Sequence, residues 1–319
     1  MVTINSMSKR STTIQGKRGS IKWINMINPR DREITELKRK FGFDHADLHD
    51  AYGNHFAQRP KLNIRPSYSF LLLQFPVYDH KSRTVEVEEI DFFVGDDYVV
   101  TSHKNILPPL VELANLCTSD NFYRDQYMGR DPGPFVCEII NRLQTHCYKI
   151  LDNISIEIEN IEHNIFAGRE RRMVTEILFV KRNILNFRRS ISFHKDIIKK
   201  ILSDKSILID SPETAKLYEH IIDHSKHLWE LLERHKETIE SLESTNITLV
   251  SFGLNDIMRT LTIFSVIVYP LTLLAGIFGM NTLGSMPFVD HPYGFWGIMV
   301  IMVFATVAMF SFFKRKRWI

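Results

Sequence analysis

Two apolar runs near the C-terminus constrain this chain more than any other feature. Residues 260–278, TLTIFSVIVYPLTLLAGIF, and residues 294–313, GFWGIMVIMVFATVAMFSFF, hold no charged side chain over nineteen and twenty positions. At ~1.5 Å per residue, a helix of either length crosses the ~30 Å hydrocarbon layer of a bilayer. A buried hairpin in a soluble core is the alternative, but such cores rarely hold two runs this long on either side of a short polar loop. The chain is therefore expected to enter a lipid bilayer as a two-helix hairpin.

Basic residues orient that hairpin. Arg259 precedes the first run and Lys314, Arg315, Lys316 and Arg317 follow the second, while residues 279–293 contain neither Lys nor Arg. Cytoplasmic flanks accumulate positive charge. Both termini are thus expected in the cytoplasm, with loop 279–293 outside and residues 314–319 as a basic cytoplasmic tail. Trp296 and Trp318 fall where interfacial anchors belong. The formal charge of +3 over 319 residues is less than the basic tetrad alone supplies. The upstream region therefore has no strong net field, and nucleic acid is not an expected partner. Cys117, Cys137 and Cys147, an odd set without CxxC spacing, favour a reducing compartment over a disulfide scaffold. Residues 1–20 carry basic side chains but no apolar stretch, so they read as a flexible tail rather than a secretory leader. The expected location is a plasma (inner) membrane.

The remainder reads as an α/β cytoplasmic domain followed by a long stalk helix. Within residues 21–133, IKWIN, YSFLLLQFPV, TVEVEEIDFFV and YVVTSH predict strands, and a hairpin turns at Gly95-Asp96-Asp97. Helices are predicted over 32–40, 45–52 and 107–117. The dense stretch Asp44-His45-Ala46-Asp47-Leu48-His49-Asp50 reads as an exposed helix start. Residues 134–211 predict a helical hairpin. Leu151, Ile154, Ile158, Ile161 and Ile165 form one apolar stripe, and Met173, Ile177, Val180, Ile184, Phe187 and Ile191 form the other. Ser211-Pro212 is an N-cap followed by a first-turn proline, and Gly253 alone does not stop a helix. One helix is expected from 212 to 278, about 100 Å long, with 212–259 as the stalk and 260–278 in the membrane. A rod of that kind would carry a tilt of the soluble domain to the membrane without a flexible joint.

Ser265, Tyr269, Thr272, Gly276 and Gly279 recur at spacings of 4, 3, 4 and 3, on one helical face. Two readings compete. Small and hydroxyl residues let membrane helices pack closely, which the stripe alone favours. The same residues suit a pore lining, and Pro270 assists by freeing the Val266 carbonyl. The second run has only Gly294, Gly297, Thr306 and Ser311 as interruptions, as an outer, lipid-facing helix would. Two spans cannot enclose water within one chain, so a conduit requires a homo-oligomer.

Gly279-Met280-Asn281 ends the first run, and Met286-Pro287 follows in the loop. Together with Tyr269-Pro270-Leu271-Thr272, Gly276-Ile277-Phe278 and the terminal Lys316-Arg317-Trp318-Ile319, this resembles the CorA family of divalent-cation transporters. The resemblance implies a funnel-shaped homopentamer whose first spans line the pore. Carried over by position, Gly279, Met280 and Asn281 would form the selectivity filter at the outer mouth. Gly276, Thr272, Tyr269, Ser265, Leu261 and Asn255 would line the path below it. Magnesium is the implied cargo, with Co2+ or Ni2+ possible while hydrated, and intracellular magnesium is implied as a regulator held between acidic groups of neighbouring subunits. Glu219 and Asp223 are the stalk candidates for that role, although a charged stalk face is ordinarily a solvated one. Two positions depart from the family pattern. Tyr269 stands where aliphatic or thioether gating residues are common, and Phe288 follows Met286-Pro287 where an acidic residue is frequent, leaving Asp290 as the nearby substitute in the external loop.

Two other functions are open. A proton-coupled zinc transporter of the same family would need titratable groups along the conduit, and a membrane-anchored sensor or scaffold would conduct nothing. No GxxxxGK[ST] phosphate loop occurs, and His45, His49, His220 and His224 lack the companions that would specify an enzymatic reaction.

Overall fold

In a computed structural model of the chain, the described residues are 5–8 (backbone only), 10–15, 21–52, 59–129, 131–204, 207–280, 292–316 and 318. They fall into two compact units, Met1–Glu243 and Ser244–Ile319. The strands are β1 (Asn5–Ser8), β2 (Ser11–Gln15), β3 (Lys22–Ile27), β4 (Lys61–Ile64), β5 (Ser69–Asp79), β6 (Thr84–Val94) and β7 (Tyr98–His103). The helices are α1 (Asp31–Phe41), α2 (His45–Tyr52), α3 (Pro108–Ser119), α4 (Asn121–Tyr127), α5 (Pro132–Phe166), α6 (Glu170–Ile191), α7 (His194–Ser203), α8 (Pro212–Phe278) and α9 (Gly294–Arg315).

The first unit is organised by one mixed sheet in the order β1-β2-β3-β7-β6-β5-β4, parallel only between β3 and β7. Its central strands are apolar on both faces, with Phe70, Leu71, Leu72, Leu73, Phe92, Phe93 and Val94 all buried. Such strands need a cover on each side. On one side Phe43, between α1 and α2, stacks on Phe93 with ring centroids 4.4 Å apart. On the other, Phe135 of α5 meets Trp23 edge-on at 5.1 Å. Asn183 of α6 fastens β6 by accepting from the Val85 amide at 2.9 Å and donating to the Arg83 carbonyl at 2.8 Å. The β6–β7 hairpin turns at Gly95, where a Cβ would run into the Tyr98 ring, so a larger residue requires that ring to move. Both predicted stripes of the helical hairpin are buried, and α5 ends where Gly168 takes a left-handed φ of 77°. The first half of α8 packs in this unit: Gln144 Nε2 donates to Ser225 Oγ at 2.7 Å and Lys181 pairs with Glu243 at 2.6 Å.

Several expectations are corrected. Residues 11–15 are a strand, paired with β3 from Ser11↔Met26 to Gln15↔Lys22, and not part of a flexible tail. Without β2, the β3 edge would expose its unpaired amides and carbonyls. The helix expected to begin at 134 begins at Pro132, and α9 runs on to Arg315; the two compact units meet inside α8, at 243/244. Asp47 is fully buried instead of lying on an exposed helix start.

All three cysteines are buried, and burial pushes their thiols up, to about 11 for Cys117 and about 12 for Cys137, with Cys147 also raised. Two buried histidines move the other way. His194 donates from Nε2 to the Gln74 carbonyl at 2.7 Å, and His103 accepts the Asn105 amide on Nδ1 at 3.0 Å while its Nε2 meets Asn25 Oδ1 at 3.0 Å. Burial lowers both to about 4. Between that value and ~6.5 the unfolded chain binds protons that the folded chain does not, so stability is intact above ~6.5 and is lost as pH falls. Each histidine is expected to cost about 2 kcal/mol at pH 5 relative to pH 7.5. Melting of the detergent-solubilised chain across that range checks this, and a flat profile would exclude it.

Candidate functional site

The second unit contains the end of α8 and the whole of α9. Both helices carry an 18-residue window of mean hydropathy 2.2, and little of either window is buried. The shielded positions are therefore informative. On α8 they include Arg259, Ile263, Ile267, Leu271, Leu274 and Phe278; on α9 they include Gly294, Ile298, Met302, Ala305, Met309 and Phe313. Each set steps by threes and fours, marking the seam of a helical hairpin. At the Arg259 end the guanidinium sits 6.0 Å from the Trp318 ring centroid, and Trp318 stacks on Phe313 at 5.8 Å.

Large apolar side chains thus occupy the α8 seam. At ~100° per residue, the stripe of Leu261, Ser265, Tyr269, Thr272, Gly276 and Gly279 is centred roughly 170° away, on the opposite side of the helix. Tyr269 is 71% exposed and Leu261 66%; Thr272, Gly276 and Gly279 are exposed too, while Ser265 is half-buried. Close packing of the hairpin therefore does not account for the stripe. Asn255 lies at the edge of this face. It is two heptads before Tyr269, over which a straight helix drifts by ~40°. The heptad line Asn255, Thr262, Tyr269, Gly276 brings in Thr262, which the spacing of 3 and 4 had passed over.

The hydroxyls on this face share one geometry. Ser265 Oγ donates to the Leu261 carbonyl at 2.9 Å, Thr272 Oγ1 to Val268 at 2.9 Å and Thr262 Oγ1 to Met258 at 2.8 Å. With the proton spent on the helix itself, each oxygen is left with lone pairs for accepting. Water bound to a cation turns its hydrogens outward, so oxygens of this kind can hold a hydrated cation. At the helix end, Gly279 N donates to Ala275 O at 2.9 Å and Met280 N to Ile277 O at 3.3 Å. A Cβ on Gly276 would meet nothing within 4 Å. Asn281 and Asp290 lie outside the described residues.

Glu219 and Asp223 are exposed, one turn apart on the first half of α8. Asp223 accepts from Lys226 Nζ at 2.7 Å, and that hydrogen bond and charge hold its carboxyl below the usual range. The Asp223 carboxylate thus already has an ammonium beside it. Among the described residues no group of three or more His, Cys, Asp or Glu is arranged to hold a metal ion.

Residues 18–315 match the family model described as CorA-like Mg2+ transporter protein. The cobalt/magnesium transport protein CorA of Thermotoga maritima is 25% identical over 93% of this chain and 83% of its own length. The protein of that name from Methanocaldococcus jannaschii is 22% identical over the full length of both. The complete structure of the M. jannaschii CorA magnesium transporter superposes with a TM-score of 0.80 at 21% identity, covering 94% of this chain and 92% of that one. More distant is the zinc transport protein ZntB of Pectobacterium atrosepticum, 19% identical over 82% of this chain and 77% of its own.

Proposed function

The chain belongs to the CorA-like Mg2+ transporter family, and from that premise we propose that it conducts hydrated Mg2+ into the cytoplasm along the hydroxyl-and-glycine face of α8. The family consists of divalent-cation transporters and not enzymes. The observation that carries the proposal is the opposition of faces on α8: bulky apolar residues toward α9, and acceptor oxygens and glycines away from it. Five copies in a funnel-shaped homopentamer bring that second face to a common axis. The basic flanks put both termini in the cytoplasm of a cell with an inner (plasma) membrane.

Mg2+ gives up water reluctantly and prefers oxygen ligands. The Ser265 and Thr272 hydroxyls, backbone carbonyls near Gly276 and Gly279, and the Asn281 amide grip its water shell without stripping it. A ring of carboxylates would bind the ion more tightly and slow its exit. Co2+ and Ni2+ pass on the same terms while hydrated. Each elementary charge gains ~2.3 kcal/mol per 100 mV of inside-negative potential, so a divalent ion enters without nucleotide. Intracellular Mg2+ gates the path, with Tyr269 narrowing it; a regulatory ion at Glu219 and Asp223 would displace Lys226. Zinc coupled to protons fits less well, since residues 260–278 and 294–313 contain no Asp, Glu, His, Lys or Arg.

The test is Mg2+ uptake into proteoliposomes without nucleotide or a proton gradient. Asn281→Ala removes one ring of acceptors, each hydrogen bond being worth ~1 kcal/mol, and is expected to lower uptake about tenfold. Zn2+ flux that requires a proton gradient, with no Mg2+ flux, would replace the magnesium reading. No flux of any ion from correctly oriented protein would leave a scaffold.

A further inference from the structure

In the first unit, the sheet face that carries α2 contains a cleft of about 260 Å³, lined in part by Asn28, Tyr52, Glu89, Asp91, Ser102 and His103. Glu89 and Asp91 are two apart on β6, so both carboxylates stand on one face of the sheet. Asp91 pairs across to Ser102 of β7 and is only 4% exposed. Its Oδ1 is buried without a hydrogen-bond partner, and the buried Tyr52 hydroxyl has only the Ser102 side chain beside it, short of good hydrogen-bond geometry. An unpaired carboxylate buried in this way is costly unless something positive meets it.

Among the described residues the nearby cations form their ion pairs elsewhere, although Lys61 acts through space on both carboxylates and Lys104 on Glu89. Lys104 pairs with Glu88 at 3.2 Å and Lys61 with Asp50 at 2.5 Å. Ala51 and Tyr52 end α2 on the cleft wall, and a helix C-terminus carries partial negative charge. Burial pushes Glu89 up to about 7 and Asp91 well above the carboxylate range; neighbouring like charges add to this, and Lys61 and Lys104 offset part of it. Both ring nitrogens of His103 are already engaged, by Asn25 and Asn105. The groups left to meet a ligand are therefore oxygens, which suit a hard cation. At ~30 Å³ per water, the volume accommodates an ion with about six waters.

We propose that this cleft is a binding site within a single subunit for a hydrated divalent cation, held by the Asp91 and Glu89 carboxylates with the Tyr52 and Ser102 hydroxyls on its water shell. It lies in the compact unit that does not contain the membrane hairpin, and its occupancy does not depend on ion conduction.

The experiment counts Mn2+ bound per chain by the electron paramagnetic resonance of the free ion, using the full chain in nanodiscs. Wild type is compared with Asp91→Asn, Glu89→Gln and Asn281→Ala. Asp91→Asn is expected to lose one Mn2+ per chain, Glu89→Gln to weaken that site at least tenfold, and Asn281→Ala to retain it, with Mg2+ competing in wild type. Equal Mn2+ counts in wild type and Asp91→Asn would overturn the proposal. So would a lower melting temperature of Asp91→Asn in metal-free buffer, because the carboxylate would then have a partner within the protein.

Discussion

Gly276→Leu is expected to reduce Mg2+ uptake about a hundredfold while leaving the folded subunit intact, because a leucine ring at this level would make a dry constriction on the axis. A Cβ at this position meets nothing within 4 Å, so the single chain has room for the side chain. In a helix, leucine is also better tolerated than glycine, by up to ~1 kcal/mol. A loss of transport would then come from where this face points in the assembly. Gly297→Leu on α9 is the control: its Cβ also meets nothing within 4 Å, and uptake is expected to change less than about twofold. Uptake, incorporation and melting would be measured on both variants. Wild-type flux through Gly276→Leu would remove this face from the path, and equal losses in the two variants would make the effect one of helix packing.

The second large effect concerns stability. Asp47 accepts hydrogen bonds from Asn63 Nδ2 at 2.7 Å, Arg65 Nε and Nη2 at 2.9 Å each, and Tyr68 Oη at 2.7 Å, joining α2 to β4 and to the connection between β4 and β5. Burial alone would raise its carboxyl, but the hydrogen bonds from Arg65, Tyr68 and Asn63 outweigh burial and hold it below the usual range. Asp47→Ala removes the acceptor of Asn63, Tyr68 and both Arg65 bonds; Arg65 is a third exposed and keeps Asp44 at 3.9 Å, so the expected cost is about 2–4 kcal/mol. In a unit of this size that lowers the melting temperature by about 10 °C. Asp47→Asn keeps an acceptor and should lose less. If the alanine variant melts within ~2 °C of wild type, the network does not stabilise the fold as argued.

What could be read from the sequence depended on whether the signal was local. β6, β7, α2 and α8 begin and end at the residues expected, because each has its own marks: a β-branched or aromatic run, a glycine turn, or the Ser211-Pro212 start and Gly279 stop. β2 and β4 have no such marks. Only Leu62 is buried in β4 and only Ile14 among the large apolar residues of β2, and both strands owe their conformation to a neighbouring edge. α7 carried a readable signal in Ile197, Ile198 and Ile201, but it starts at a buried histidine and not at a capping residue. The buried carboxylates were the least legible. Asp47 finds its partners 16 to 21 residues later, and nothing beside Asp91 in the chain announces that the sheet encloses it. On α8 the sequence supplied the stripe, but its direction became clear only when Ile263, Ile267, Leu271 and Leu274 were found on the other side.

The three buried cysteines have a practical consequence. Thiol reagents attack the thiolate, and these groups are both sequestered and held protonated at neutral pH. The native chain is therefore a silent background for water-soluble alkylating probes. Single cysteines introduced at Thr272 or Thr262 on one face, and at Val300 or Phe304 on α9, can be compared without first deleting the natural ones. Protection by Mg2+ at the first pair alone would trace the wetted surface residue by residue.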